Sequence, residues 1–302
     1  MKRVINFMGV RYVAFAITVL LTLASLGSLA VKGLNFGLDF TGGTLIELSY
    51  EQPVSLDQVR GQLARSGFNS AVVQSFGATT DVLVRMPGDD PLLGERIAEA
   101  LRGDETAGGI TVKRVEFVGP AVGEELRDQG GLGMLLALGG ILVYVAFRFQ
   151  WKFALGAVLS LFHDVVLVLG VFSLFQISFD LTVLAAVLAV IGYSLNDTIV
   201  IFDRIRENFR VLRKAELIEN INISTTQTLL RTLATSVSTL LAVGALMAFG
   251  GENLWGFSLA LLVGVGAGTY SSVYVAGMLL TWLNLTRDDL IPPVVEEVDE
   301  RP

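Results

Sequence analysis

A chain of 302 residues that is 52% hydrophobic, with a net charge of -7 and a mean hydropathy of +0.62, belongs among membrane proteins rather than water-soluble globules. It has no cysteine and one histidine, so disulfides, iron–sulfur clusters, thiolate zinc and imidazole-rich metal sites are excluded, and no metal or other cofactor is expected. The acidic balance argues against nucleic acid, and no Gly-x-x-x-x-Gly-Lys-Ser/Thr loop is present to hold ATP.

The first predicted element is an apolar run at 12–31 preceded by Lys2, Arg3 and Arg11. Its uncharged length exceeds a signal-peptide core of roughly 7 to 15 residues, so it reads as an uncleaved anchor despite the small-residue run Ser28-Leu29-Ala30. A hydrophilic block follows at 33–128. Thr44–Tyr50 alternates like a half-buried strand, and Leu56, Val59 and Leu63 behind a Ser55 cap form an amphipathic helix. A strand at 70–76, a turn at Gly77–Asp81, a strand at 81–86, a helix at 91–102 and a strand at 111–118 complete a β-α-β-β-α-β, ferredoxin-like order. The glycine-containing links at its two ends, Lys32–Phe40 and Val118–Gly131, suit a hinge.

Five further apolar segments, at 130–148, 153–175, 181–202, 225–249 and 256–283, are long enough to cross a bilayer, which takes about 20 residues each. The predicted fold class is therefore a polytopic α-helical membrane protein of six transmembrane helices, with one α/β domain between the first and second. The expected domains are an N-terminus and first span at 1–32, the α/β domain at 33–128, a five-helix bundle at 129–284 with a connecting loop at 203–224, and an acidic tail at 285–302. Lys2, Arg3, Arg11, Arg148, Lys152, Arg204, Arg206, Arg210, Arg213, Lys214, Arg287 and Arg301 all fall on one side of this arrangement. The positive-inside rule then makes both termini cytoplasmic and the α/β domain external.

Asp197 is the only charge between Leu181 and Phe202, and Arg231 the only charge between Ile221 and Gly251. Charges at mid-bilayer cost at least about 2.5 to 3.5 kcal/mol, so each calls for a partner or a water-filled path. Both are expected at matching depth on consecutive antiparallel helices, close enough for an ion pair. Thr228, Arg231, Thr235 and Ser238 share a helical face, flanked by Thr232 and Thr239. Two readings stand. The pair staples two helices, or its titratable carboxylate relays protons beside hydroxyls and a permanent cation. His163 and Asp164, adjacent in the third span, are lower-ranked members of such a relay or packing residues. An intramembrane aspartyl protease would need Gly-x-Gly-Asp, where this chain has Tyr193-Ser194-Leu195-Asn196-Asp197. The Gly264-x-x-x-Gly268 spacing marks close helix contact.

Three runs, Phe36-Gly37-Leu38-Asp39-Phe40-Thr41-Gly42-Gly43, Ile191 to Asn208, and Thr226-Gln227-Thr228-Leu229-Leu230-Arg231-Thr232, resemble the SecF family. That family is the smaller membrane subunit of the bacterial SecDF accessory complex of the protein translocase, a relative of the resistance-nodulation-division transporters. The resemblance implies an inner-membrane location, a separate SecD subunit, the Sec translocon channel (SecYEG) and exported preproteins as partners, and use of the proton-motive force in late steps of export. By the same resemblance Asp197 matches the proton-carrying aspartate, Arg231 the membrane arginine and Thr235 the threonine one turn on, with Asn196 a polar neighbour of the path. No bond-making catalysis is expected. The alternatives are a structural subunit without its own proton path, or a stand-alone exporter of the wider superfamily, against which the lack of a second six-helix half weighs.

Overall fold

A computed structural model describes residues 4–76, 78–102, 109–212, 215–286 and 289. They divide into two compact units. The first comprises residues 34–135 with 178–184, and the second the remainder of the described chain.

In the first unit, the segment after the first span forms β1 (Asn35–Phe36) and a single helical turn, before β2 (Gly43–Tyr50), α3 (Leu56–Arg65), β3 (Val72–Phe76), β4 (Ala78–Met86), α4 (Leu93–Arg102) and β5 (Ile110–Val118). That turn is α2 (Leu38–Thr41), and α1 is the first span, Arg11–Lys32. The sheet is antiparallel throughout in the order β3-β4-β2-β5. Ile46, Leu48, Val82 and Val84 on its inner face meet Val59 and Leu63 of α3 and Ile97 and Leu101 of α4. Period 2 on the strands and period 3.6 on the helices aim these residues at one another. The helices are also stitched together where Gln62 Nε2 donates to Leu101 O at 3.0 Å.

The Gly42-Gly43 pair has a steric explanation. Both have positive φ, 65° and 108°, and a Cβ would lie 2.8 Å from Pro120 Cα at Gly42 and 2.5 Å from Met86 O at Gly43. Only glycine meets both demands. The neighbouring residues join the unit to a short stretch far ahead in sequence: β1 pairs in parallel with β6 (Ser178–Phe179), Gly37 N donates to Phe179 O at 2.8 Å, and Asp39 Oδ2 accepts from Leu181 N at 3.0 Å. Asp39 thus caps an orphan N–H at the start of α7 (Leu181–Val211), alongside Asp180, which accepts from Val183 N at 2.9 Å.

Several expectations are revised. The link at Val118–Gly131 is not a flexible hinge: α5 runs from Pro120 to Arg148, because a proline is pre-organised for the first helical position. The other link, Lys32–Phe40, carries β1 and part of α2. The connection at 203–224 is largely helical, since α7 continues to Val211 and α8 (Leu217–Phe249) has already begun. Of the turn at Gly77–Asp81, residues 78–81 belong to β4, and Gly77 lies outside the described residues. The same holds for Lys2, Arg3, Arg213, Lys214, Arg287, Arg301 and, apart from Thr286, Leu285 and Asp289, for the acidic tail.

Among the described residues six helices are long and apolar enough to cross a membrane: α1 with its preceding turn, α5, α6 (Trp151–Phe175), α7, α8 and α9 (Glu252–Trp282); the second unit holds them except for α5 up to residue 135 and the start of α7. Small residues set their spacing. A Cβ on Gly170 of α6 would sit 2.2 Å from Ser25 Oγ of α1, and Ser28 and Ser173 hydroxyls meet at 2.9 Å nearby. An aromatic cluster of Phe149, Phe153 and Phe202 closes the turn between α5 and α6, with Phe153 and Phe202 edge to face at 5.0 Å.

In the sheet unit, Asp81 accepts from Lys113 Nζ at 2.8 Å and Ser49 Oγ at 2.6 Å, and these donors hold its carboxyl below the usual carboxylate range. An unfolded aspartate titrates near about 3.9, so the stability Asp81 adds is complete above that pH and is lost as pH falls through its lower folded value. In Asp81→Asn the hydrogen-exchange protection factors of β2, β4 and β5 should therefore be lower than in the parent at neutral pH. The difference should close as the pH approaches about 2.

Candidate functional site

The polar chemistry of the helical unit centres on α6, α7, α8 and α9. Hydrogen bonds from Asn208 Nδ2 to Ser224 Oγ at 2.7 Å and from Tyr193 Oη to Ser236 Oγ at 3.3 Å fix α7 and α8 antiparallel. That register sets Asp197 level with the Arg231–Thr235 turn, as the depth argument anticipates. The side chains, however, are arranged differently from the expected single face. Asp197 is 2% exposed, while Asn196, Arg231, Thr235 and Ser238 are all exposed on this chain. The buried face of α8 is instead Thr225, Thr228, Thr232 and Ser236, because α9 and α7 pack there and the 3.6-residue period turns Arg231 and Thr235 away.

Asp197 and Arg231 form no direct ion pair, although Arg231 lies within electrostatic reach of the carboxylate. Asp197 Oδ2 is sealed from solvent and accepts no hydrogen bond. The Thr235 hydroxyl is satisfied within its own helix, donating to Thr232 O at 2.9 Å and Arg231 O at 3.1 Å. The Thr232 hydroxyl is buried without a partner. The expected pair is thus two charges at one depth without a bond between them.

Asp164, ranked lower from sequence, is the residue that ties helices together. Its side chain is fully buried, and its Oδ2 accepts from Ser194 Oγ of α7 at 2.5 Å and from Ser271 Oγ of α9 at 2.7 Å. Its Oδ1 faces His163 Nδ1 at 2.9 Å, so the two adjacent side chains meet. His163 Nε2 is buried and has no partner. The His163 ring lies 6.5 Å from that of Tyr270, whose hydroxyl donates to Ala14 O of α1 at 2.7 Å. Ser194 lies in the run Tyr193–Thr198, and Tyr270 and Ser271 in the run Thr269–Ser272; neither run's spacing shows that these residues converge on the His163–Asp164 pair.

The α7–α9 contact follows the small-residue signal. A Cβ on Gly264 would lie 2.2 Å from Val190 Cγ2, and one on Gly268 would lie 2.9 Å from Ser194 Cβ. The two glycines are four residues apart, as are Val190 and Ser194, so one ridge of α7 rests directly on α9. This close approach brings Ser194 and Ser271 to the same carboxylate oxygen. Among the described residues no cluster of three or more histidine, aspartate or glutamate side chains is arranged to hold a metal ion.

Among the described residues, six membrane-crossing helices, a four-stranded antiparallel sheet between the first and second in sequence, and buried carboxylates in the third and fourth define a multi-pass membrane protein. The family described as Protein export membrane protein SecD/SecF, C-terminal, matches residues 99–286, and the SecD/SecF GG motif matches residues 27–54. The protein translocase subunit SecF of Pseudomonas aeruginosa is 71% identical over 299 residues, covering 99% of this chain and 98% of the relative. That of Vibrio alginolyticus is 49% identical over 308 residues, covering 100% and 98%. The crystal structure of SecDF, a translocon-associated membrane protein from Thermus thermophilus, superposes with a TM-score of 0.84 at 41% identity. It covers 94% of this chain, which spans 39% of that longer one. The chain belongs to the SecF family.

Gly264→Ala should force α7 and α9 apart and destabilise the bundle by about 1 to 3 kcal/mol, the usual range for overpacking. Gly266→Ala meets nothing within 4 Å and should be near neutral. Chemical unfolding of both variants in the same detergent checks the contrast.

Proposed function

We propose that the chain acts beside a SecD subunit as an accessory of the Sec translocon channel (SecYEG), using the proton-motive force to promote late steps of preprotein translocation. Its SecF relatives are protein translocase subunits, and the similar SecDF is translocon-associated. In this reading Asp197 carries the proton and Arg231 sets the field around it, while the protein makes and breaks no covalent bond of its substrate.

The observation that carries the reading is the contrast between two buried aspartates. Asp164 is bonded on both oxygens, whereas Asp197 has a sealed oxygen with no partner and a cation nearby. A carboxyl without fixed donors is free to gain and lose a proton, and leaving it charged and dry is unfavourable. The exposed Asn196, Arg231 and Thr235 support a second chain at this face, since an arginine turned to lipid at mid-bilayer costs at least about 2.5 to 3.5 kcal/mol. SecD is the partner that the family supplies.

Orientation in the inner membrane follows the distribution of lysine and arginine: both termini cytoplasmic and the ferredoxin-like sheet unit periplasmic. The sheet order β3-β4-β2-β5 with two connecting helices supports that assignment of its fold.

Asp197→Asn is nearly isosteric and hydrogen-bonds but does not titrate. Vesicles carrying the variant with SecD and the translocon should insert and assemble normally, with export reduced to the rate seen without a proton gradient. Export at the normal gradient-dependent rate would remove the carrier assignment and favour a purely structural subunit. Arg231→Lys retains a charge but not the planar five-donor fork, and should lower gradient-driven export by about tenfold or more. Thr239→Ala on the same helix, assayed in parallel, should leave the rate unchanged.

A further inference from the structure

We propose that His163 and Asp164 form a second proton-binding station in the membrane, with His163 Nε2 as the atom that takes up the proton. It deepens the reading of Asp197 as carrier and rests on it.

The argument begins at the 2.9 Å separation of His163 Nδ1 and Asp164 Oδ1. Two lone pairs do not face each other at that distance, so a proton lies between them. On the other side of the carboxylate, Ser194 and Ser271 hydroxyls both donate onto Oδ2. Each has a single proton to give, so Asp164 acts as an acceptor on that oxygen. Hydroxyl donors on Oδ2 stabilise the carboxylate form, and on that ground we assign the bridging proton to Nδ1, with Oδ1 as its acceptor. Nε2 then carries the imidazole's free lone pair, and it is buried with no protein partner. This is the arrangement in which an aspartate orients a histidine as a base.

Proton uptake balances simply. An O–H bond breaks in the donor, the Asp197 carboxyl acting through water, and an N–H bond forms at Nε2. Asp164 keeps its charge, and the pair passes from net negative to net neutral. The imidazolium so formed faces its own counter-ion, which is what a dry interior requires.

Ser194 provides the link to the carrier. It lies three residues before Asp197 on α7, on the same side of the helix and about 4.5 Å along the axis. Both are buried. One side of α7 therefore presents the carrier and, one turn away, a hydroxyl bonded to the second station. The groups that touch the dyad from packed elements are Ser194 on α7 and Ser271 and Tyr270 on α9; Tyr274 stacks behind Tyr270, and the titratable groups next along α7 are Tyr193, which bonds Ser236 of α8, and Asp197. The α1 helix contributes Thr18, Ser25 and Ser28, with no charged residue between Tyr12 and Val31. No cation competes with His163 for Asp164 among the described residues.

His163 is the only histidine of the chain, which makes the test specific. The chain is labelled with 15N-histidine and reconstituted with unlabelled SecD in proteoliposomes, and the imidazole nitrogens are followed by solid-state NMR with and without an imposed proton gradient. Nδ1 should remain protonated throughout, and Nε2 should gain a proton when the gradient is applied. In Asp164→Asn the doubly protonated imidazole should not accumulate under the same gradient. Ser194→Ala keeps every titratable group and should slow gradient-driven export by about tenfold or more.

An imidazole that stays in one protonation state with and without the gradient overturns the station. So does a Ser194→Ala variant that exports at the full gradient-driven rate. If His163 is unresponsive while Asp197→Asn still abolishes gradient-driven export, only this inference falls. If Asp197→Asn exports normally, the carrier reading falls, and the station falls with it.

Discussion

The helical unit is governed by the apolar surroundings of its polar groups. Inside an apolar bundle every carboxylate, hydroxyl and imidazole must find a partner, on its own helix or on a neighbouring one, or remain unsatisfied at a cost of several kcal/mol in hydrocarbon. Asp164 meets that demand fully, gathering Ser194 from α7, Ser271 from α9 and His163 from its own helix. Asp197, one turn from Ser194, does not. The bundle thus contains one carboxylate bonded on both oxygens and another with a buried oxygen that has no partner.

Glycine makes this frame possible. Serine hydroxyls are short, and Ser194 and Ser271 reach one carboxylate oxygen only because α7 and α9 approach at Gly264 and Gly268. Without a hydrophobic drive between helices in lipid, such close packing with its hydrogen bonds is the chief source of cohesion. The same economy operates in the sheet unit, where Gly42 and Gly43 leave no room for a Cβ against Pro120 and Met86. There the glycines let the chain turn sharply into β2, and the preceding Asp39 caps the first turn of α7.

That cap gives the glycine motif a structural role beyond turning. Residues 36–43 hold β6 and the start of α7 within the sheet unit through a parallel strand pair, an aspartate cap and a cluster of Phe36, Phe40 and Phe179. The helix whose first turn is held this way also carries Asp197. A second set of polar ties lies near its other end, where Asn208 bonds Ser224 and Gln227, and Asn220 bonds Ile205 O.

The sequence by itself determined what depends on local pattern and bulk hydrophobicity. Six spans, the alternation of β2, the amphipathic α3 and α4 and the isolation of Asp197 and Arg231 in apolar runs were all legible, because each is a property of neighbours along the chain. The matched depth of Asp197 and Arg231 also followed, from helix rise alone. What only the tertiary structure decided was azimuth and convergence: that α8 buries Thr228, Thr232 and Ser236 and turns Arg231 outward, and that Asp197 goes unbonded. The gathering of three side chains around Asp164 was likewise beyond sequence reach. In a helix that is apolar on nearly every side, hydrophobic periodicity no longer marks an inner face. The rotation of each span is fixed by where small residues admit a neighbour, and that is a property of pairs of helices rather than of any one of them.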